Sequence, residues 1–229
     1  MRTLDFRLES LSHDAQARVS FKELVLAGWT GRDTGALEHH IAELAALGVK
    51  PPSSVPLFYR VSVDLLTQES HIQVLGNDSS GEAEPVLFGY DGDLWLTVGS
   101  DHTDRRVEAY SVAVSKQMCQ KPLASTAWRA SEVLPHWDQL RLRSFTIERS
   151  ARTLYQDGLL SAMRTPGDLL PRLTGKDAHL PDGVVISCGT LTAIGGVRPS
   201  THFSVELEDP VHRRVLRHDY AVTALPVVA

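Results

Sequence analysis

A mainly β α+β fold with a few short helices is what this chain of 229 residues predicts, on three observations. Short apolar runs broken by Gly, Asn and Asp recur from Leu57 to Val114. The tail returns to the same pattern, and before residue 60 a single stretch keeps a clear helical period. Apolar residues make up 42% and charged residues 22%, an ordinary composition for a chain that buries a core, which sets aside disorder, collagen and a coiled coil.

The N-terminal "MRTLDFRLESLSHDAQARVSF" alternates apolar and polar residues and has no apolar leader, so it reads as strand. In "ALEHHIAELAALG", Leu37, Ile41, Leu44 and Leu47 recur at helical spacing; Asp33 or Thr34 can cap the start and Gly48 can end it. "KPPSSVP" then forces an extended connection. "LFYRVSVDLL", "HIQVLG", "PVLFGY" and "DLWLTVGS" follow as short strands. "TLYQDGLLSAMRTPGDLLPRL" mixes a turn with a helical stretch from about Ser161 to Leu173. "GVVISCGTLTAIGGV", "HFSVELEDP" and "HDYAVTALPVV" return to strand. No repeat and no long linker divides the chain, so residues 1–229 are expected to form a single domain.

A formal charge of -5 and a pI near 6.0 leave no basic stripe to follow a phosphate backbone, so small-molecule chemistry is expected and nucleic acid is not. Cys119 and Cys188 form no C-x-x-C pair, which fits a reducing cytoplasm rather than a disulfide framework. No uninterrupted apolar run reaches about 18 residues, so no membrane partner is expected.

Two constellations carry chemistry. Glu82 and Glu84 stand at i and i+2 at the head of an apolar run, a spacing that on a strand puts both carboxylates on one face. Like charges there need a cation or strong donors, and a hard divalent ion suits them, with Asp101 as a third carboxylate. A solvated strand face has the same pattern. His40 and Glu43, at i and i+3 on a helix, can form a positioned general base, although adjacent His39 competes for the role and a solvated helix face looks alike. Cys119 reads as a bystander thiol. His102 alternates away from the carboxylate face, and Trp95, Trp128 and Trp137 read as core or interface aromatics. Gly195-Gly196 is a turn, since no phosphate-binding helix follows it.

The order of these motifs resembles the fumarylacetoacetate hydrolase superfamily from about Gly31 to Asp209, and more particularly a bacterial branch of it known as a domain of unknown function. "GRDTGALEHHIAEL" resembles the family's early H-x-x-E segment at His40 and Glu43, and "PLFYRVSVDLLTQESHIQV" its extended Phe-containing segment. "SGEAEPVLF" is similar to its E-x-E metal pair, and "GSDHTDR" to the strand ending in the third carboxylate. "AVSKQMCQKP" resembles its lysine loop at Lys116, "YQDGLLSAM" a Gln-containing turn, and "LPDGVVISCGTLTAIGG" its Gly-Thr signature.

The resemblance implies a mixed, mainly antiparallel β-roll that pairs as a homodimer. It implies Mg²⁺ or Mn²⁺ on Glu82, Glu84 and Asp101, with Lys116 and Arg105 or Arg106 on the carboxylate of a small anionic oxo acid. Thr190 would bind substrate or satisfy backbone, and the Glu43-His40 pair would activate water for carbon-carbon hydrolysis of an acylpyruvate-like compound. Oxo-acid decarboxylation, opening of a cyclic amide or lactone, and non-catalytic metal-dependent binding are the alternatives. Three departures stand out. Pro85 after the second glutamate places that strand at an edge or a bulge. Arg106 replaces the usual Asp, making the pocket more cationic, and Leu191 replaces the usual Pro.

Overall fold

The computed structural model describes residues 1–46, 51–175 and 179–228; the side chains of residues 36, 40 and 43–46 lie outside that description. Alternation at the N-terminus becomes a hairpin. β1 (Arg2–Glu9) buries Leu4, Phe6 and Leu8 and pairs antiparallel with β2 (Asp14–Phe21). β3 (Glu23–Gly28) is buried on both faces from Leu24 to Ala27. Asp33 stands at the cap position of α1 (Thr34–Ala46), its carbonyl accepting the Leu37 N–H at 3.1 Å. The expected Leu47 and Gly48 end of this helix lies outside the described residues.

The expected run of strands follows as β4 (Leu57–Val61), β5 (Leu66–Thr67), β6 (His71–Leu75), β7 (Ser79–Ser80), β8 (Ala83–Tyr90), β9 (Asp93–Ser100) and β10 (Thr103–Asp104). It stops ten residues earlier than the alternation suggests. Residues 105–118 form α2 (Arg105–Glu108) and α3 (Val112–Met118), because the side chains of Asp104 and Ser111 accept the N–H groups of Val107 and Val114 and cap two turns of helix. β11 (Lys121–Pro122), β12 (Thr126–Arg129), α4 (Ala130–Val133), β13 (Arg141–Glu148) and β14 (Ala151–Leu159) come next. The Gln156 segment, expected as a turn, is therefore strand. The expected helix from about Ser161 is a single 3-10 turn at Leu160–Ala162 followed by α5 (Pro166–Thr174). In the tail β15 (Val184–Ser187) is short, then β16 (His202–Asp209) and β17 (Arg214–Leu225) pair antiparallel.

These strands build an eight-stranded mixed sheet in the order β2-β1-β12-β9-β8-β15-β3-β4 and a five-stranded sheet in the order β14-β13-β16-β17-β6. The first sheet curls. Phe21 of β2 meets Phe88 of β8 edge to face at 5.5 Å although three strands lie between them in the order, and Phe6 lies 4.8 Å from Phe88. One face of the roll thus encloses its own apolar core, with Leu24, Leu26, Val86 and Trp95. The other face packs Val25, Leu87, Leu96 and Trp128 against Leu142, Val205, Leu207 and Leu216 of the second sheet. Trp95, Trp128 and Trp137 are core residues. Among the described residues no helix is long and apolar enough to cross a membrane.

Pro85 corrects an expectation. β8 is an interior strand, flanked by β9 and β15, and neither an edge nor a bulge. The Pro85 carbonyl accepts the Cys188 N–H at 3.0 Å, so its missing N–H faces the point where β15 ends, and the β9 ladder is intact.

Candidate metal centre

Period two along β8 puts Glu82, Glu84, Val86 and Phe88 on one face, so the two carboxylates sit at the mouth of the curled sheet above its enclosed core. The β8–β9 hairpin brings in the third. Ala83 stands opposite Ser100, and the Asp101 N–H donates to the Glu82 carbonyl at 2.9 Å. One carboxylate oxygen each from Glu82, Glu84 and Asp101 lies within 4.8 Å of the others, with Glu84 and Asp101 buried and Glu82 nearly so.

Each carboxylate has its own partners. Ser187 Oγ at the end of β15 and the Gly189 N–H donate to Glu84 Oε2 at 2.5 and 3.0 Å. Arg105 of α2 pairs with Glu82 Oε1 at 3.0 Å and is itself held by Glu108 and Ser80. Lys116 of α3 pairs with Asp101 Oδ2, and Lys121 of β11 reaches Oδ1 at 3.0 Å. Among the described residues Glu84 Oε1 and Glu82 Oε2 have no hydrogen-bond partner.

The charges bear on one another. Burial, and then the charge of Asp101, push the Glu84 carboxyl up to about 8, and burial raises Glu82. Burial would raise Asp101 too, but Lys116 and Lys121 hold it well below the usual carboxylate range. Lys116 is kept charged against its own burial by Asp101, Glu82 and Glu84. Three converging hard oxygen donors, two with an unused oxygen, fit a divalent ion such as Mg²⁺ or Mn²⁺.

The second sheet braces this mouth. Tyr220 of β17 bonds Ser100 Oγ at 2.8 Å and His102 Nδ1 at 3.0 Å, while His102 Nε2 meets Ser79 Oγ at 2.9 Å. His102 is thus outside the cluster, as expected, and burial drops its pKa to about 3. Gly81 lets the chain pass, since a Cβ there would stand 2.3 Å from the Tyr220 hydroxyl. Gln156 of β14 accepts the Ala83 N–H at 2.9 Å and the Ser144 hydroxyl at 2.7 Å, and donates to Thr190 Oγ1 and the Leu191 carbonyl.

The structure thus brings together Glu82, Glu84, Asp101, Lys116 and Arg105. Arg106 is exposed on α2. The Thr190 hydroxyl donates to the Ala83 carbonyl at 2.8 Å, so it serves the backbone. His40 and Glu43 lie on α1, with side chains outside the described residues; His39 is exposed. Cys119 is buried and its thiol pushed up to about 11, chiefly by burial, consistent with a bystander. Lys121, Ser187 and the Gly189 N–H are contributors that sequence reasoning missed. A second cluster, His136, Asp209 and His212, has its carboxylate filled: Oδ1 takes His136 and two backbone N–H groups and Oδ2 takes Arg214, which marks it as a structural anchor.

Residues 27–220 match the family described as "Protein of unknown function (DUF2848)". No curated protein matches the sequence of this chain. Among solved structures, one described as "a putative fumarylpyruvate hydrolase from Burkholderia cenocepacia" superposes with a TM-score of 0.65 at 19% identity, covering 97% of this chain and 92% of that one. Another, "a putative fumarylacetoacetate isomerase/hydrolase from Oleispira antarctica", gives 0.61 at 18% identity, covering 94% of this chain and 99% of that one. A 2-keto-3-deoxy-D-arabinonate dehydratase complexed with magnesium and 2,5-dioxopentanoate gives 0.63 at 12% identity, covering 90% and 74%.

Proposed function

Because the chain belongs to the DUF2848 family and folds like members of the fumarylacetoacetate hydrolase superfamily, we propose that it is a divalent-metal-dependent enzyme acting on a small anionic oxo acid. The observation that carries this reading is the convergence of Glu82, Glu84 and Asp101 at the mouth of the roll. The similar dehydratase, with magnesium and an oxo acid bound, supports both the ion and the substrate class. When bound, the ion supplies Lewis-acid stabilisation of the negative charge that develops on the substrate.

The chain's own groups do the rest. Glu82, Glu84 and Asp101 hold the ion. Lys116, with Arg105 rather than the exposed Arg106, neutralises the substrate carboxylate. On α1 the i, i+3 spacing lets Glu43 orient His40, whose free ring nitrogen takes a proton from the water that attacks a second carbonyl. The carbon-carbon bond next to that carbonyl then breaks, the acyl half leaving as the free acid and the other half as an enolate that takes up the proton held by His40, which is hydrolytic cleavage of an acylpyruvate-like compound.

Calorimetry should find one Mg²⁺ or Mn²⁺ site per chain, lost in Glu84→Ala. A screen of acylpyruvates and oxaloacetate with either ion should show loss of the enol absorbance. His40→Ala and Glu43→Gln should lower kcat by about 10²-fold with metal affinity little changed. Turnover that survives both changes points to decarboxylation instead, and full activity in a strong chelator removes the mechanism.

A further inference from the structure

One side chain at the mouth of the roll has no part in that scheme. Asp101 carries two ammonium partners, although one would balance its charge: Lys116 on Oδ2 and Lys121 on Oδ1, the latter at 3.0 Å. Arg105, held between Glu82 and Glu108, adds a third cation beside the carboxylates, so much of the negative charge of the bare site is already offset. The two lysines are held differently. Lys121 is 3% exposed, its Nζ also donates to the His102 carbonyl at 2.6 Å, and β11 is pinned in parallel to β5, with Lys121 opposite Leu66 and the Leu123 N–H on the Thr67 carbonyl at 2.9 Å. Pro122 stiffens the next residue. Lys116 sits on the seven-residue α3, its Nζ 5.7 Å from the centre of the Tyr59 ring and within the field of all three carboxylates.

We propose that Lys121 is a positioning residue: a fixed internal counter-ion of Asp101 that weakens divalent-ion binding to the bare site, so that tight binding waits for an anionic substrate to draw Lys116 off the same carboxylate. An ion approaching the bare site meets an Asp101 whose two oxygens already face ammonium groups, and like charges a few ångströms apart repel strongly in a desolvated pocket. A substrate carboxylate gives Lys116 another anion to face and frees Asp101 Oδ2 for the ion. Lys121, tied to the His102 carbonyl, stays on Oδ1 and keeps the carboxylate oriented. Ion and substrate then each strengthen the binding of the other by the same factor.

The inference rests on the metal reading above, and calorimetry of Mn²⁺ with and without oxalate as the anionic probe separates the two. Wild-type protein should bind Mn²⁺ about tenfold or more tightly with oxalate present than without. Lys121→Met should bind Mn²⁺ about tenfold more tightly than wild type both alone and with oxalate, while Lys121→Arg should behave as wild type. Lys121→Gln, which keeps a donor for the His102 carbonyl and loses the charge, gives the same comparison if Lys121→Met does not fold. If wild type binds the ion and neither neutral variant binds it more tightly, the role of Lys121 is overturned and the metal reading stands. If wild type takes up no ion with or without oxalate, both fall together.

Discussion

Gly189 illustrates how much of the metal centre is backbone. Its φ of +96° lies in the left-handed region, a Cβ there would stand 1.8 Å from Thr30 Oγ1, and its N–H is one of two donors to Glu84 Oε2. Gly189→Ala is therefore expected to cost about 1–3 kcal/mol through strain and to pull the N–H from Glu84. Thermal unfolding should show the first effect, and calorimetry should show Mn²⁺ affinity falling with it; unchanged affinity would separate the loop from the site. Single residues were legible in sequence where local geometry decides their place. Glu82 and Glu84 share a face because a strand has period two, and Asp101 follows from the hairpin that joins β8 to β9. Lys121 was not legible, because it enters through a two-residue parallel pairing with β5, more than fifty residues back. Arg105 and Arg106 could not be told apart until a helical turn, rather than a strand, sent one to Glu82 and the other to solvent.

At the scale of elements, the two helices at residues 105–118 show why alternation alone misleads. "VEAYSVAV" continues the short apolar runs of the strands before it, but Asp104 and Ser111 satisfy free N–H groups and tip the balance toward helix. The resulting turn of α3 is what presents Lys116 to Asp101. β14 was likewise hidden. Its register shifts against β13 between Ser144 and Phe145, so the period breaks beside Gln156, where Ser144 and the Ala83 N–H converge on the amide oxygen. That amide couples β8 of the first sheet to β13 and β14 of the second. Gln156→Leu strands a buried backbone N–H and a buried hydroxyl, and should lower stability by about 1–3 kcal/mol. A urea titration should show the midpoint falling with the slope unchanged, since no surface is newly exposed in the folded state.

For the whole molecule, the mainly β class was readable from short runs between turn residues, whereas the order of strands was not: a curled sheet in which Phe21 meets Phe88 is set by pairings distant in sequence. What fastens the second sheet at the end away from the metal centre is Asp209, the last residue of β16. Its carboxylate takes the N–H groups of Val211 and His212, the His136 ring and the Arg214 guanidinium, and Arg214 lies 4.5 Å above the Trp128 ring of the shared core. Burial alone would raise this carboxyl. The His212 N–H, His136 and Arg214 outweigh it and hold the group below its ordinary value of 3.8. A carboxyl whose folded pKa is depressed stabilises the fold above the unfolded value, and that contribution is lost as pH falls through 3.8 toward the folded pKa. Asp209→Asn should therefore be less stable than wild type at pH 7 by about 1–3 kcal/mol, the scale of a buried hydrogen bond to a charged group. The gap should stay level down to about pH 5 and shrink below about pH 4 as wild type loses the charge that the variant never had. Urea midpoints of the two proteins at neutral and acid pH decide the point: a gap that does not narrow in acid would mean that Asp209 holds the hairpin by shape and hydrogen bonding, with its charge contributing nothing.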